Sequence, residues 1–329
     1  MPELPEVEVV RAGLAPAVTG ARVVAVDVLD ERSLTRHDPV AGDFAARLAG
    51  RRILAAVRRG KFLWLPLDSA AAADEAVVGH LGMSGQLLLR TPDHPGDDRH
   101  ARVRVHLEHP EHGELRVDFI DQRTFGSLAI DPLVPTVDGE VAGYSAGITG
   151  PWARSIPSQV SHIARDPLDP AFSDVAFAEA LAKRSSGIKR VLLDQGVVSG
   201  IGNIYADEAL WQVRLHGEQP ASSLSTRRVR ELLAAVRSVL EKALAEGGTS
   251  FDAQYVNVNG ASGYFAHSLN AYGRAGLPCP RCGTPMVREA FMNRSSHRCP
   301  RCQRLRMPRV GSAAATPTRA RTGGTPAPR

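Results

Sequence analysis

The chain has four cysteines in 329 residues, spaced Cys279-x2-Cys282, sixteen residues, then Cys299-x2-Cys302. Each knuckle can supply two ligands to a tetrahedral ion, so the spacing predicts a four-thiolate zinc site. Disulfides would need an oxidising compartment, and the N-terminus shows no targeting sequence for one: Glu3, Glu6 and Glu8 stand where a signal peptide carries a basic start and an apolar run. Four protein ligands leave no open coordination position, so the metal is structural and holds the stretch "TPMVREAFMNRSSHR" as a hairpin. Arg294 falls near the tip of that hairpin in a stretch almost free of acids, which suits a phosphate contact.

A second concentration of chemistry opens the chain, in "MPELPEVEVV". Removal of Met1 would leave the secondary amine of Pro2 as the first atom. With a pKa near ~8 an α-amine is about one-tenth neutral at pH 7, whereas a lysine near ~10.4 is neutral in about one molecule in two thousand. A secondary amine attacking an aldehyde-level carbon gives an iminium that is cationic without protonation and draws electrons from the neighbouring C–H bond. Glu3 and Glu6 stand ready to move the protons. The plainer reading is a helix start, with Pro5 in the first turn and acids at the positive end of the dipole.

The 40 basic residues include only four lysines, Lys61, Lys183, Lys189 and Lys242. Compositional drift accounts for Lys183 and Lys242. Charge is unevenly placed: residues 274–329 hold twelve Arg against Glu289 alone, a net of +11, so the first 273 residues carry 5 − 11 = −6. A basic end of that kind points to a polyanion, most simply nucleic acid. With no uncharged apolar run of about 18 residues and no signal peptide, the expected compartment is the cytoplasm.

Around these residues the periodicities predict their supports. Residues 4–18 read as a helix, with Val7, Val10, Leu14 and Val18 at spacings of three and four. From Gly20 to about 133, short apolar or alternating runs divided by turn residues read as an antiparallel sandwich or barrel. Residues 134–170, rich in Pro, Gly and Ser, read as a linker. A helical region follows, in which "IKRVLLDQ", the glycine turn "VVSGIG" and a helix from Asn203 give helix, turn, helix. Asn203 is the expected cap, and the free amides behind it an expected phosphate pocket. The stripe Val229, Leu232, Leu233, Val236, Val239, Leu240, Ala243 and Leu244 marks a further helix, ended by Gly247 and Gly248. Residues from about 308 onward are too poor in large apolar groups to fold.

Taken together, "PELPEVE", "RRGKFL", "HLGMSG", "DQRTFG", "GIGNIYADE", "GYFAHSLNAYGR" and the cysteine unit occur in the order of one family. From residue 2 to about 307 the chain resembles bacterial formamidopyrimidine-DNA glycosylases. The resemblance implies a multidomain α+β fold: an N-terminal antiparallel β-sandwich (1–133), a linker (134–170), a helix-two-turn-helix domain (171–272), a zinc finger (273–307) and a disordered basic tail (308–329). It implies a monomer acting on duplex DNA that contains oxidised bases or abasic sites, with one structural zinc ion. By the same resemblance Pro2 attacks C1′ of a damaged purine nucleotide, Glu3 is the general acid/base that opens the sugar, Glu6 organises the pocket, and Lys61 and Arg294 assist two successive eliminations or clamp phosphates. Met83, Arg123 and Phe125 match the trio that fills the space of an extruded base. His80, His100, Arg184, Lys189, Asn203 and Tyr264 match DNA-contacting positions. Gln122 and Thr124 depart from the family's usual Pro and Arg, which bears on the stiffness of that loop. Sister enzymes for oxidised pyrimidines commonly open Pro-Glu-Gly-Pro-Glu and lack this placement of the trio. A non-catalytic DNA-binding protein on the same scaffold would be marked by loss of Pro2, Glu3 or Lys61, and all are present.

Overall fold

The computed structural model describes residues 2–69, 74–95, 98–248 and 268–306. Met1, Tyr264 and the tail from Met307 lie outside the described residues. Helix α1 (Leu4–Val18) begins with Pro5 and Glu6 in its first turn, as the local chemistry requires, and buries Val7, Val10, Leu14 and Val18. Beside it lie two antiparallel sheets. One has the order β1 (Arg22–Val28), β6 (Ala101–His109), β7 (Gly113–Ile120), β5 (Gln86–Arg90). The other runs β2 (Val57–Arg59), β3 (Phe62–Pro66), β4 (Glu75–His80), β8 (Ser127–Pro135), β9 (Ser155–Pro157). The α1 stripe packs with Leu63, Val77, Phe119 and Leu128 from both sheets, and a short helix α2 (Phe44–Leu48) adds Phe44 and Leu48 to the same core.

Residues 134–170 are less of a linker than their composition suggests. Strand β9 pairs with β8, and Trp152, Ile156, Val160 and Ile163 bury Trp64 on the other face of the five-stranded sheet. That sheet is therefore covered on both sides, which explains why β3 is apolar almost throughout rather than alternating. The apolar residues of this segment are spaced without a helical or strand period, so only the packing reveals their use.

The helical unit contains α3 (Asp174–Ala182), α4 (Ile188–Leu192), α5 (Asn203–Gln212) and α6 (Thr226–Ala245). Ser225 caps α6, and the stripe from Val229 to Ala243 lies in one core with Ile188, Leu192, Tyr205 and Leu210. In the cysteine unit, β10 (Val287–Phe291) pairs with β11 (Arg294–Arg298), and Met292 at φ 53° makes the turn.

One buried ion network joins the sandwich to the segment that leads into the helices. Arg58 of β2 reaches Glu8 of α1 at 2.9 Å and Asp166 at 2.9 Å, while Glu8 also holds Arg11 at 2.8 Å. Both carboxylates raise the affinity of the Arg58 guanidinium for its proton despite burial. Removing one partner from such a network strands the other charges in low dielectric. Arg58→Met should therefore lower stability by about 3–5 kcal/mol in urea unfolding; an unchanged midpoint would show that the network is not holding these segments together.

Candidate active site

The N-terminal segment is locked to the helical unit through Glu3. Its Oε2 accepts from the Gly202 amide at 2.6 Å, its Oε1 from the Ile204 amide at 3.0 Å, and the Leu4 amide donates to the Gly200 carbonyl at 2.9 Å. The carboxylate thus occupies the positive end of α5. Two expectations are corrected by this. Gly202, not Asn203, holds the cap position, and the amides expected to form a phosphate pocket are already filled by a side chain 199 residues earlier in the sequence. Asn203 is the first helical residue, and its Nδ2 donates to the Ser295 carbonyl on the zinc hairpin at 2.8 Å. No local pattern could show a cap supplied from so far away.

Glycine is required here by contact. A Cβ at Gly202 would lie 2.3 Å from the Glu3 carboxyl carbon, and one at Gly200, whose φ is +86°, would lie 2.7 Å from Leu4. Glu6 completes the pocket: its Oε2 accepts from the Glu3 amide at 2.9 Å and its Oε1 from the Tyr205 hydroxyl at 2.5 Å. Pro2 is buried beside them.

Lys61 enters from the sandwich. Strands β2 and β3 pair Arg59 with Phe62, so Gly60 and Lys61 form a two-residue hairpin turn, with Gly60 at φ 56°. The turn delivers the Lys61 ammonium, which donates to the Ile201 carbonyl at 2.9 Å. Burial pulls its proton affinity down while Glu3 opposes the shift; burial pushes the Glu3 carboxyl up while Lys61 opposes that. An acid that keeps its proton longer beside an amine that yields one sooner suits proton transfer between them. Lys61 lines a cavity of about 250 Å³ with Phe62, His80, Phe291 and Arg294, so the exposed hairpin arginine comes to the same opening. Burial, aided by Arg36 and Lys61, holds the His80 imidazole down to about 4.

Two loops project from the sandwich. Met83 is 45% and Phe125 60% exposed, so neither serves the core. Arg123 is exposed beside them. The buried Asp121 binds the loops together: it accepts from Ser84 Oγ at 2.5 Å and from the amides of Arg123 and Gly126 at 3.1 and 2.7 Å. Gly82, at φ 62°, lies against Gly126, where a Cβ would meet backbone at 2.5 Å. Thr124 sits at φ 54°, an unusual conformation for a β-branched residue, and this is where the loop departs from the family's usual sequence.

The DNA-contact candidates separate. His100 is part-buried near the loops, with its amide on Asp98 at 2.8 Å. The Arg184 side chain is 41% exposed and pairs with Asp194 at 2.9 Å. Lys189 does not fit the expectation of a backbone contact. It is fully buried, pairs with Asp207 at 2.6 Å and stands 4.7 Å from the centre of the Phe291 ring. Its charge is spent inside, fastening the zinc hairpin to the helices.

Sequence reasoning passed over the two acids that follow in α5. Asp207 accepts from Ser296 Oγ at 3.0 Å and the His297 amide at 2.8 Å. Glu208 accepts from the amides of Asn270, Ala271 and Tyr272 at 2.9, 2.7 and 2.9 Å. Two adjacent acids inside an otherwise apolar helix were the available signal.

The four cysteine Sγ atoms lie within 4.8 Å of one another, with Cys282–Cys299 at 3.5 Å and Cys282–Cys302 at 3.4 Å. Tetrahedral zinc with Zn–S near ~2.3 Å places sulfurs about 3.8 Å apart, so the donor set fits one structural Zn²⁺. Trp211 Nε1 donates to Cys279 Sγ at 3.4 Å, joining α5 to the metal shell.

Known proteins match this arrangement along most of the chain. The model of the formamidopyrimidine-DNA glycosylase N-terminal domain matches residues 1–128, that of the formamidopyrimidine-DNA glycosylase H2TH domain residues 163–254, and that of a zinc finger found in FPG and IleRS residues 276–305. A formamidopyrimidine-DNA glycosylase of Leifsonia xyli subsp. xyli is 65% identical over 305 residues, covering 93% of this chain and 100% of the relative. The structure of MutM (Fpg) from Thermus thermophilus superposes with a TM-score of 0.72 at 33% identity, over 93% of this chain and 100% of that one. Lactococcus lactis Fpg, solved with DNA containing an abasic site, gives 0.73 at 27% identity, over 92% and 99%.

Gly202→Ala must expel the Glu3 carboxylate from the end of α5. Stability should fall by about 2 kcal/mol or more, and amide exchange at Ile204 should accelerate; unchanged protection there would show that Glu3 is not the cap. The depressed His80 proton affinity has its own consequence. Between its ordinary 6.5 and about 4 the unfolded chain binds more protons at this residue than the folded one, so His80 removes stability as pH falls through that window and none above it. The urea midpoint of His80→Asn should therefore drop less than that of the parent between about pH 7 and pH 5, and parallel curves would refute the shift.

Proposed function

The chain belongs to the formamidopyrimidine-DNA glycosylase family of DNA-repair enzymes, and from that premise we propose that it excises oxidised purines from duplex DNA and then cleaves the abasic strand through an iminium at Pro2. The observation that carries this reading is the buried group of Pro2, Glu3, Glu6 and Lys61, in which acid and amine are tuned in opposite directions.

After removal of Met1, the Pro2 nitrogen attacks C1′ of the lesion nucleotide, the damaged base leaves with the bonding pair, and the proton shed by the Pro2 nitrogen passes to the departing base. Glu3 delivers a proton to the sugar ring oxygen, which opens the ring and leaves the iminium. Loss of a C2′ proton then expels the 3′ phosphate, with Lys61 supplying the proton that leaves with it. A second elimination expels the 5′ phosphate beside Arg294. Glu6 holds the Glu3 amide and the Tyr205 hydroxyl, so it keeps the pocket in shape without reacting. The zinc ion fixes the hairpin that carries Arg294 and takes part in none of these steps.

Extruding a base costs a few kcal/mol, and the vacated space must be filled. Exposed Met83 and Phe125 supply the apolar wedge and Arg123 the donors for the orphaned base. His100 and Arg184 contact the phosphate backbone, joined by Tyr264. The enzyme works as a monomer on nucleoid DNA in the cytoplasm.

Borohydride reduction during turnover of a duplex carrying 8-oxoguanine opposite cytosine should trap a covalent complex whose linkage maps to Pro2. Pro2→Gly, which keeps a primary α-amine but loses the secondary one, should sharply lower the trap, with any remaining linkage still on the N-terminal residue. Undiminished trapping in that variant would show that the secondary amine is not needed, and a linkage found on Lys61 would overturn the N-terminal mechanism.

A further inference from the structure

Among the described residues, two cavities in the C-terminal part are lined by arginine side chains. Arg294 faces the site just described, whereas the knuckle end of the zinc unit carries a separate cavity of about 1230 Å³. It lies beyond Val213 at the C-terminal end of α5, and the ten residues of that helix set it about 15 Å from Glu3.

Six arginines line this cavity, Arg214, Arg228, Arg281, Arg301, Arg304 and Arg306, and no acidic residue does. Two of them are occupied: Arg228 pairs with Glu231 at 2.6 Å, and Arg281 donates to the carbonyls of Trp211 and Gln212. Among the described residues no carboxylate pairs with the side chains of the other four, all of them exposed. Arg214 stands at φ 55°, just past the end of α5, where its amide closes on the Trp211 carbonyl at 3.1 Å. Glycine takes that conformation freely, so an arginine there is held at a conformational cost. The nearby negative end of the helix dipole accounts for a cation but not for this backbone.

Cys282 and Cys302 of the metal shell also line the cavity, and a four-thiolate Zn²⁺ site carries a net charge of 2 − 4 = −2 there. The four guanidiniums without a carboxylate partner outnumber that charge, so the concave site still draws an anion, and their forks suit carboxylates as well as phosphates. The rest of the lining separates these ligands. Leu215, Leu224 and Leu305 contribute an apolar floor, with Leu305 42% exposed. A nucleic-acid backbone offers nothing to that floor. A peptide bearing both carboxylates and apolar side chains meets the floor and the rim together. The chain's own residues 307–329 carry four arginines and no acid, so charge disfavours them as the occupant.

We propose that this cavity docks an acidic peptide segment with interspersed apolar side chains, supplied by a partner protein, while lesion chemistry proceeds at the other end of α5. The test uses the full-length, zinc-loaded protein and a fluorescent peptide alternating aspartate with leucine. The parent protein should bind it saturably. The double variant Arg304→Glu, Arg306→Glu should bind about tenfold more weakly, as should a peptide with serine in place of leucine bind the parent. Arg214→Gly, which relieves the backbone and so preserves the fold, should also weaken binding. Cleavage of a lesion-containing duplex should stay unchanged in every variant, so a failure of the catalytic reading is registered separately. Absence of saturable binding, or equal peptide affinity across parent and variants, would overturn the proposal. So would a loss of affinity for undamaged duplex with peptide binding unmoved, since the cavity would then belong to DNA.

Discussion

The position of a single carboxylate governs this structure. Glu3 is buried, and it is tolerable there because the start of α5 presents two close amides and a helix dipole to it. That contact fastens the sandwich to the helical unit and, in the same geometry, places an acid beside the buried Lys61 and Pro2. Stability and the geometry of the candidate site therefore draw on one interaction. The Gly200-Ile201-Gly202 turn is its counterpart, since side chains on either glycine would occupy the space that Glu3 and Leu4 need.

Helix α5 extends that constraint toward the metal. Asp207 and Glu208 accept amides from the hairpin and from the turn leading into it, Lys189 neutralises Asp207 from below, and Trp211 donates to a cysteine sulfur. Zinc shapes the finger, but α5 decides where the finger points. Arg294 consequently reaches the Lys61 cavity through a chain of buried polar contacts rather than through packing alone. Such a network is rigid when fully satisfied and costly when partly broken.

The two exposed loops follow a different rule. They carry large apolar groups in water and one threonine in a left-handed conformation, both unfavourable for an isolated domain. Asp121 compensates by holding three donors across both loops. With Gln122 in place of the family's usual proline, the buried Asp121 carboxylate still gives the loop a defined geometry.

Local pattern was enough for α1, for the apolar stripe of α6, for the run of strands and for the metal ligands, because helical and strand periods and the CxxC spacing are written over a few consecutive residues. The candidate site residues at 2–6, 61 and 294 come instead from the family resemblance, since the opening segment by itself reads as a plain helix start. What the tertiary structure alone decided concerns partners distant in sequence. The linker composition of 134–170 hid a cover for the sheet, Asn203 yielded its cap to Glu3, and Lys189, expected at a DNA contact, is a buried strut on Asp207. In each case the side chain's chemistry was legible, while its partner lay on another element. Burial and pairing depend on that partner, and no local period encodes it.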